Sequence, residues 1–172
     1  FAAECRPQGG LGCPGTWPPP GKPDSPPRQP ARFLSWAQAE AYCRWAGARL
    51  PSEVEWEKAA RGEDGRPWPW GNQPDPSRFQ GRSGTTGTIA EVGSHPAGES
   101  PYGIADLAGN LWEFTATPWG PGQHVMKGGS YLNPLMEVRS SFRWTSSLED
   151  TGADYLGFRC VLDMPRRTAP TP

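Results

Sequence analysis

Apolar positions in this chain come in short bursts, and their spacing changes along it. Between Ser35 and Gly47, Ala39, Tyr42, Cys43 and Ala46 recur at helical spacing on one face. Ser35 and Gln38 form a capping-box pair, and Gly47 offers the stop. A second helix is predicted from Ser52, with Glu55 at the capping-box position, to Gly62. Pro51 keeps Leu50 extended ahead of it. Val54, Ala59 and Ala60 are its candidate core positions, and Glu53 and Glu57 favour the positive end of the helix dipole. From Trp68 to Pro101 turn residues dominate around the anchor Trp68-Pro69-Trp70-Gly71-Asn72, and only Ile89 to Val92 reads as a strand. From Val125 to Val161 three β-prone runs follow: Met126 to Tyr131, Arg139 to Arg143, and Leu156 to Val161. Gly128-Gly129 marks a bulge or a close backbone approach. Arg139, Arg143 and Arg159 are placed to satisfy loop carbonyls from within the fold. Between the runs lie two outward loops, Leu132 to Val138 and Trp144 to Tyr155. The expected class is α+β, loop-rich, with two helices and a small antiparallel sheet.

Composition narrows this. A chain of 172 residues fits one domain with a real core. With 22 Gly, 22 Pro and a hydrophobic content of 35%, much of it must be turn and loop, and nine Trp offset the thin apolar content. A formal net charge of -1 leaves no footprint for nucleic acid or an anionic membrane, and no apolar run is long enough to insert into a bilayer. Residues 1–32 read as a Pro/Gly-rich arm carrying Cys5 and Cys13, residues 33–164 as the domain, and residues 165–172 as a flexible tail. The opening at Phe1, without Met or a visible signal peptide, is what a fragment of a longer protein would show. The four cysteines suggest Cys5 with Cys13 and Cys43 with Cys160, although three connectivities are open and buried free thiols are the alternative. Disulfides favour an oxidising compartment or a thermophilic cytosol. An all-thiolate zinc site lacks its CxxC pairs.

An ordered set of motifs adds a family likeness. Ser35-Trp36, Ala41-Tyr42-Cys43-Arg44-Trp45-Ala46-Gly47, Arg49-Leu50-Pro51-Ser52-Glu53-Val54-Glu55-Trp56-Glu57 and Ala59-Ala60-Arg61-Gly62 come first. Pro69-Trp70-Gly71, Tyr102-Gly103-Ile104, Gly109-Asn110-Leu111-Trp112-Glu113-Phe114, Gly128-Gly129-Ser130 and Gly157-Phe158-Arg159-Cys160 follow. Together they resemble the formylglycine-generating enzyme, or sulfatase-modifying factor, family. The resemblance implies a C-type-lectin-like fold and a structural disulfide between Cys43 and Cys160. The family's early motifs are missing, which again suits a fragment or a domain completed by other residues.

The same resemblance frames the chemistry. Family oxidases bind copper through two cysteines after the Gly-Gly-Ser motif; the matching positions here are Asn133 and Val138, which cannot supply thiolates. No formylglycine-forming activity and no copper are expected. Related non-haem iron enzymes use three histidines; His95 and His124 are the only two here, and both read as surface residues, so iron is not expected either. Calcium is the metal the resemblance keeps, held by the side chains of Asp106 and Glu113 and the carbonyls of Gly109 and Leu111. In the competing reading, Asp106 caps a turn and Glu113 pairs with an Arg.

The segment also resembles the variable proteins of diversity-generating retroelements, in which positions between these motifs are diversified to bind ligands. The corresponding residues are Tyr131, Leu132, Asn133, Leu135, Met136, Glu137, Trp144, Ser146, Ser147, Asp154 and Tyr155, of which Tyr131 and Trp144 could instead turn inward. The favoured expectation is a non-catalytic, extracytoplasmic or cell-surface domain whose 131–155 loops bind a protein or another macromolecule. An accessory subunit of a larger complex and an oxidase-like metalloenzyme with an altered site are the alternatives.

Overall fold

A computed structural model describes residues 28–83, 87–147 and 153–163. The arm's cysteines, Cys5 and Cys13, and the tail therefore lie outside the described residues.

Helix α1 runs Trp36–Trp45 and α2 runs Glu53–Arg61. Both begin as the pattern predicts: Ser35 and Gln38, and Ser52 and Glu55, complete reciprocal capping boxes. The α1 stripe buries Ala39 and Cys43 and half-buries Tyr42, while Ala46 is exposed. In α2 one expectation fails. Val54 is 77% exposed, and the core positions are Trp56 and Ala60, one helical turn apart. Val54 precedes Trp56 by two positions and so faces away from that stripe.

The sheet is built from β1 (Trp112–Gly120), β2 (Gln123–Lys127), β3 (Arg143–Ser147) and β4 (Leu156–Phe158), in the order β3-β2-β1-β4. The β1–β2 and β2–β3 pairs are antiparallel, but β1 and β4 run parallel, so the sheet is mixed and not purely antiparallel. Runs of apolar residues encode strands; direction depends on the path of the connection, which no run encodes.

Three further strand expectations change. Ile89–Val92 forms no strand; Ala90 instead exchanges two hydrogen bonds with the side-chain amide of Asn110, at 3.1 and 3.2 Å. Arg139–Phe142 is turn, preceded by a 3-10 turn over Leu135–Val138, so the strand begins only at Arg143 and takes the first residues of the expected 144–155 loop. The long strand β1 was not predicted, because Pro118 and two register irregularities break its alternation.

The Gly-Gly expectation holds. Gly128 and Gly129 have φ of 93° and 73°. A Cβ on Gly129 would stand 2.7 Å from Val138 Cγ1.

The two sheet faces bury different things. Against α1 lies an apolar cluster of Ala39, Cys43, Leu50, Trp112, Phe114, Met126 and Leu156. The Cys43–Cys160 disulfide, spanning 117 residues of sequence, ties α1 to the strand end beyond β4. Against α2, Trp56 packs with Ala60 and Leu107. A third cluster, Trp68, Phe79, Ala108 and Val138, supports the 3-10 turn from below.

Candidate functional site

The chain after Gly129 folds back on itself through one side chain. Asn133 Oδ1 accepts hydrogen bonds from Ser130 N–H and Ser130 Oγ, both at 2.8 Å, and its Nδ2 donates to Glu137 Oε2 at 2.7 Å. The 3-10 turn Leu135–Val138 is thereby pinned to the end of β2, with Val138 fully buried beneath it. Beside this turn the sheet face that α1 leaves uncovered opens into a cleft of about 330 Å³. The register that pairs Met126 with Trp144 and Trp112 with Leu156 makes its floor. Leu132, Asn133, Glu137, Phe142, Trp144, Thr145 and Tyr155 form its walls.

The residues expected to bind ligand divide. Asn133, Glu137, Trp144 and Tyr155 line the cleft, and Leu132, at 50% exposure, and Trp144, at 58%, stand at its rim. Met136 is also exposed, on the outer side of the turn. Leu135 instead packs on the Trp68 cluster, and its carbonyl accepts from Trp68 Nε1 at 3.1 Å. Tyr131 is mostly buried and donates its hydroxyl to Asp154 Oδ2 at 3.1 Å; burial, with Asp154 beside it, pushes the phenol pKa up. Asp154 thus braces Tyr131. Ser146 is corrected outright: it lies on β3, is 1% exposed, and presents nothing to solvent. The side chain of Ser147 lies outside the described residues.

Trp112, Met126, Ser130, Phe142, Thr145 and Leu156 line the cleft without having been singled out. For Trp112, Met126 and Leu156 the only signal was strand pairing, which brings residues far apart in sequence onto one face.

The opposite face of the sheet carries charge. Lys127 is fully buried, 3.0 Å from Glu57 and 3.7 Å from Glu53, with its ammonium 5.7 Å from the Trp56 ring centroid. Burial raises the Glu57 carboxyl pKa, but Arg61 and Lys127 outweigh it and hold the group below its usual value. Arg143 reaches Glu53 at 3.1 Å and stacks over Trp119, and among the described residues it satisfies no loop carbonyl. Arg159 does, donating to the carbonyls of Ala105 and Asp106 at 3.1 and 3.3 Å.

Both oxygens of Glu113 receive Arg159 nitrogens at 2.6 Å, and Oε2 also accepts Trp56 Nε1 at 2.5 Å. A cation already holds this carboxylate, so Glu113 fits the Arg-paired reading and does not fit a calcium ligand. Asp106, at φ 58°, accepts Gly93 N–H at 2.7 Å, and burial raises its pKa. Among the described residues no group of three or more His, Cys, Asp or Glu side chains could hold a metal. Of the two positions that the resemblance matches to copper thiolates, Asn133 is held in its own turn and Val138 is core. The histidines are not plain surface residues. His124 stacks on Trp36 with centroids 3.9 Å apart, burial lowers its pKa, and His95 meets Gln80 Oε1 at 3.1 Å.

A sulfatase-modifying factor enzyme 1-like domain matches residues 13–164. The chain belongs to the sulfatase-modifying factor family. The match begins inside the segment read as a separate arm. The chain is 40% identical over 151 residues to the mouse (Mus musculus) protein named inactive C-alpha-formylglycine-generating enzyme 2, covering 77% of this chain and 48% of that protein. It is 32% identical over 204 residues to the hercynine oxygenase of Mycolicibacterium thermoresistibile, covering 98% of this chain and 45% of that one. The chain thus spans about half the length of these relatives. Among solved structures, PvdO from Pseudomonas aeruginosa matches with a TM-score of 0.69 at 23% identity, covering 77% of this chain and 61% of that one. Treponema denticola variable protein 1 matches with a TM-score of 0.57 at 25% identity, covering 64% and 46%. The fold is the C-type-lectin-like fold of the formylglycine-generating-enzyme type, and the family includes members named inactive as well as members named as enzymes. No helix among the described residues is long and apolar enough to cross a membrane.

Proposed function

We propose that this domain is a non-catalytic recognition module that binds a protein ligand across the cleft beside the Asn133 turn. The observation that carries the reading is the rim: Leu132, Met136, Trp144 and Tyr155 are all exposed around or beside a cavity of about 330 Å³. Exposed apolar and aromatic side chains grouped on a rigid frame are the composition of an interface centre. Asn133 and Val138, where the family's oxidases carry thiolates, support the non-catalytic half, as does the likeness to a relative named inactive. The likeness to a solved variable protein supports a diversified binding loop. The Cys43–Cys160 bond favours an oxidising, extracytoplasmic setting.

Two measurements test this. Panning a random-peptide phage library on the purified protein should enrich peptides that lose binding to a Leu132→Ser, Trp144→Ala double variant. Copper- or iron-loaded protein should consume no oxygen with a thiol substrate; turnover free of contaminating oxidases would overturn the reading. For the retroelement history, an adenine-biased template repeat of the 125–161 coding region beside a reverse transcriptase is the expected genomic trace.

A further inference from the structure

The cleft has a chemical bias that its apolar rim does not reveal. Four rings line it, those of Trp112, Phe142, Trp144 and Tyr155, with Trp112 and Phe142 centroids 6.1 Å apart. Among the described residues Glu137 is the one acidic residue of the lining, and the lining holds no Lys or Arg. Glu137 is half-buried, forms no ion pair among the described residues, and bonds only the neutral amide of Asn133, through Oε2. Elsewhere in the domain the inward-facing acids Glu57 and Glu113 are matched to cations at 3.0 Å or less.

The geometry points to an ammonium group as the missing occupant: the cleft receives a lysine side chain of the protein ligand. The ammonium lies over the ring faces, which attract cations, and donates to Glu137. Its aliphatic stem lies along Leu132 and Trp144. A guanidinium fits less well, because its five donors would meet one carboxylate already shared with Asn133 and leave the rest desolvated. Lysine of the ligand thus acts as the specificity-setting side chain of the recognition site proposed above, on which this inference rests.

The test uses the peptides enriched by panning. Sequencing should show Lys over-represented at one position. Replacing that Lys by norleucine, which keeps the stem and removes the charge, should weaken binding about tenfold or more, read by fluorescence anisotropy. Glu137→Gln keeps an acceptor for Asn133 and should cause a similar loss, while the norleucine peptide should bind wild type and variant alike. Glu137→Lys should redirect panning toward Asp- or Glu-bearing peptides. Equal binding of Lys and norleucine peptides, or no effect of Glu137→Gln on the Lys peptide, would overturn the inference while leaving an apolar recognition site standing. Arg equal to Lys would overturn the choice of ammonium. Failure to enrich any peptide dependent on Trp144 would remove the recognition reading, and this inference with it.

Discussion

The two faces of the sheet treat charge in opposite ways. Beneath α2, Lys127 is fully buried between Glu53 and Glu57, and Arg159 clasps Glu113. Every one of those groups is matched from within the chain. Around the cleft on the other face, Glu137 holds, among the described residues, only an amide, and Trp144 stands 58% exposed. A buried charge without a partner destabilises a fold, so the α2 face is constrained by folding. The cleft face carries features that folding does not require, and those are where recognition can be placed.

The sharpest way to break this contrast is Glu113→Ala. It strips Arg159 and Trp56 of their acceptor, and a loss of about 3–5 kcal/mol in urea unfolding is expected. A loss under about 1 kcal/mol would mean that water already serves Arg159, and the α2 face would lose its special standing. Cys43→Ser should cost about 2–5 kcal/mol of stability, seen as a lower Tm that reducing agent also produces in the wild type.

Glu55 gives a smaller, pH-dependent effect. Arg49, hydrogen-bonded to it, and the N–H of Ser52 hold its carboxyl at about 2, against 4.5 for the free side chain. A depressed carboxyl contributes stability that is present above the unfolded value and lost as pH falls through the folded one. The Tm gap between wild type and Glu55→Gln should therefore narrow as pH falls from 4.5 toward 2; a constant gap would show that the ion pair is not what Glu55 supplies. The partners are half-exposed, so about 1 kcal/mol or less is expected at neutral pH.

Two null effects complete the comparison. Chelator should leave the Tm unchanged, because Arg159 occupies Glu113. A fall reversed by calcium would restore Asp106, Gly109, Leu111 and Glu113 as ligands. Trp144→Ala should change stability by no more than about 0.5 kcal/mol; a larger loss would make this ring structural and weaken the case for its role at the rim.

Both helices and their caps were readable because capping is local: Ser35 with Gln38 and Ser52 with Glu55 lie three residues apart. The Gly129 approach was readable for the same reason, since a Gly pair between β-prone residues has few other uses. The family motifs implied the Cys43–Cys160 bond. Tertiary structure alone decided that β4 runs parallel to β1, that Ile89–Val92 serves Asn110 without forming a strand, and that Ser146 turns inward. It also decided that Glu113 answers to Arg159, 46 residues away, and that Trp112, Phe142 and Trp144 meet Glu137 in one cleft. Local rules are written in neighbouring residues and survive in the sequence. Strand pairing and charge matching join distant segments, and their energy exists only once the chain has closed on itself.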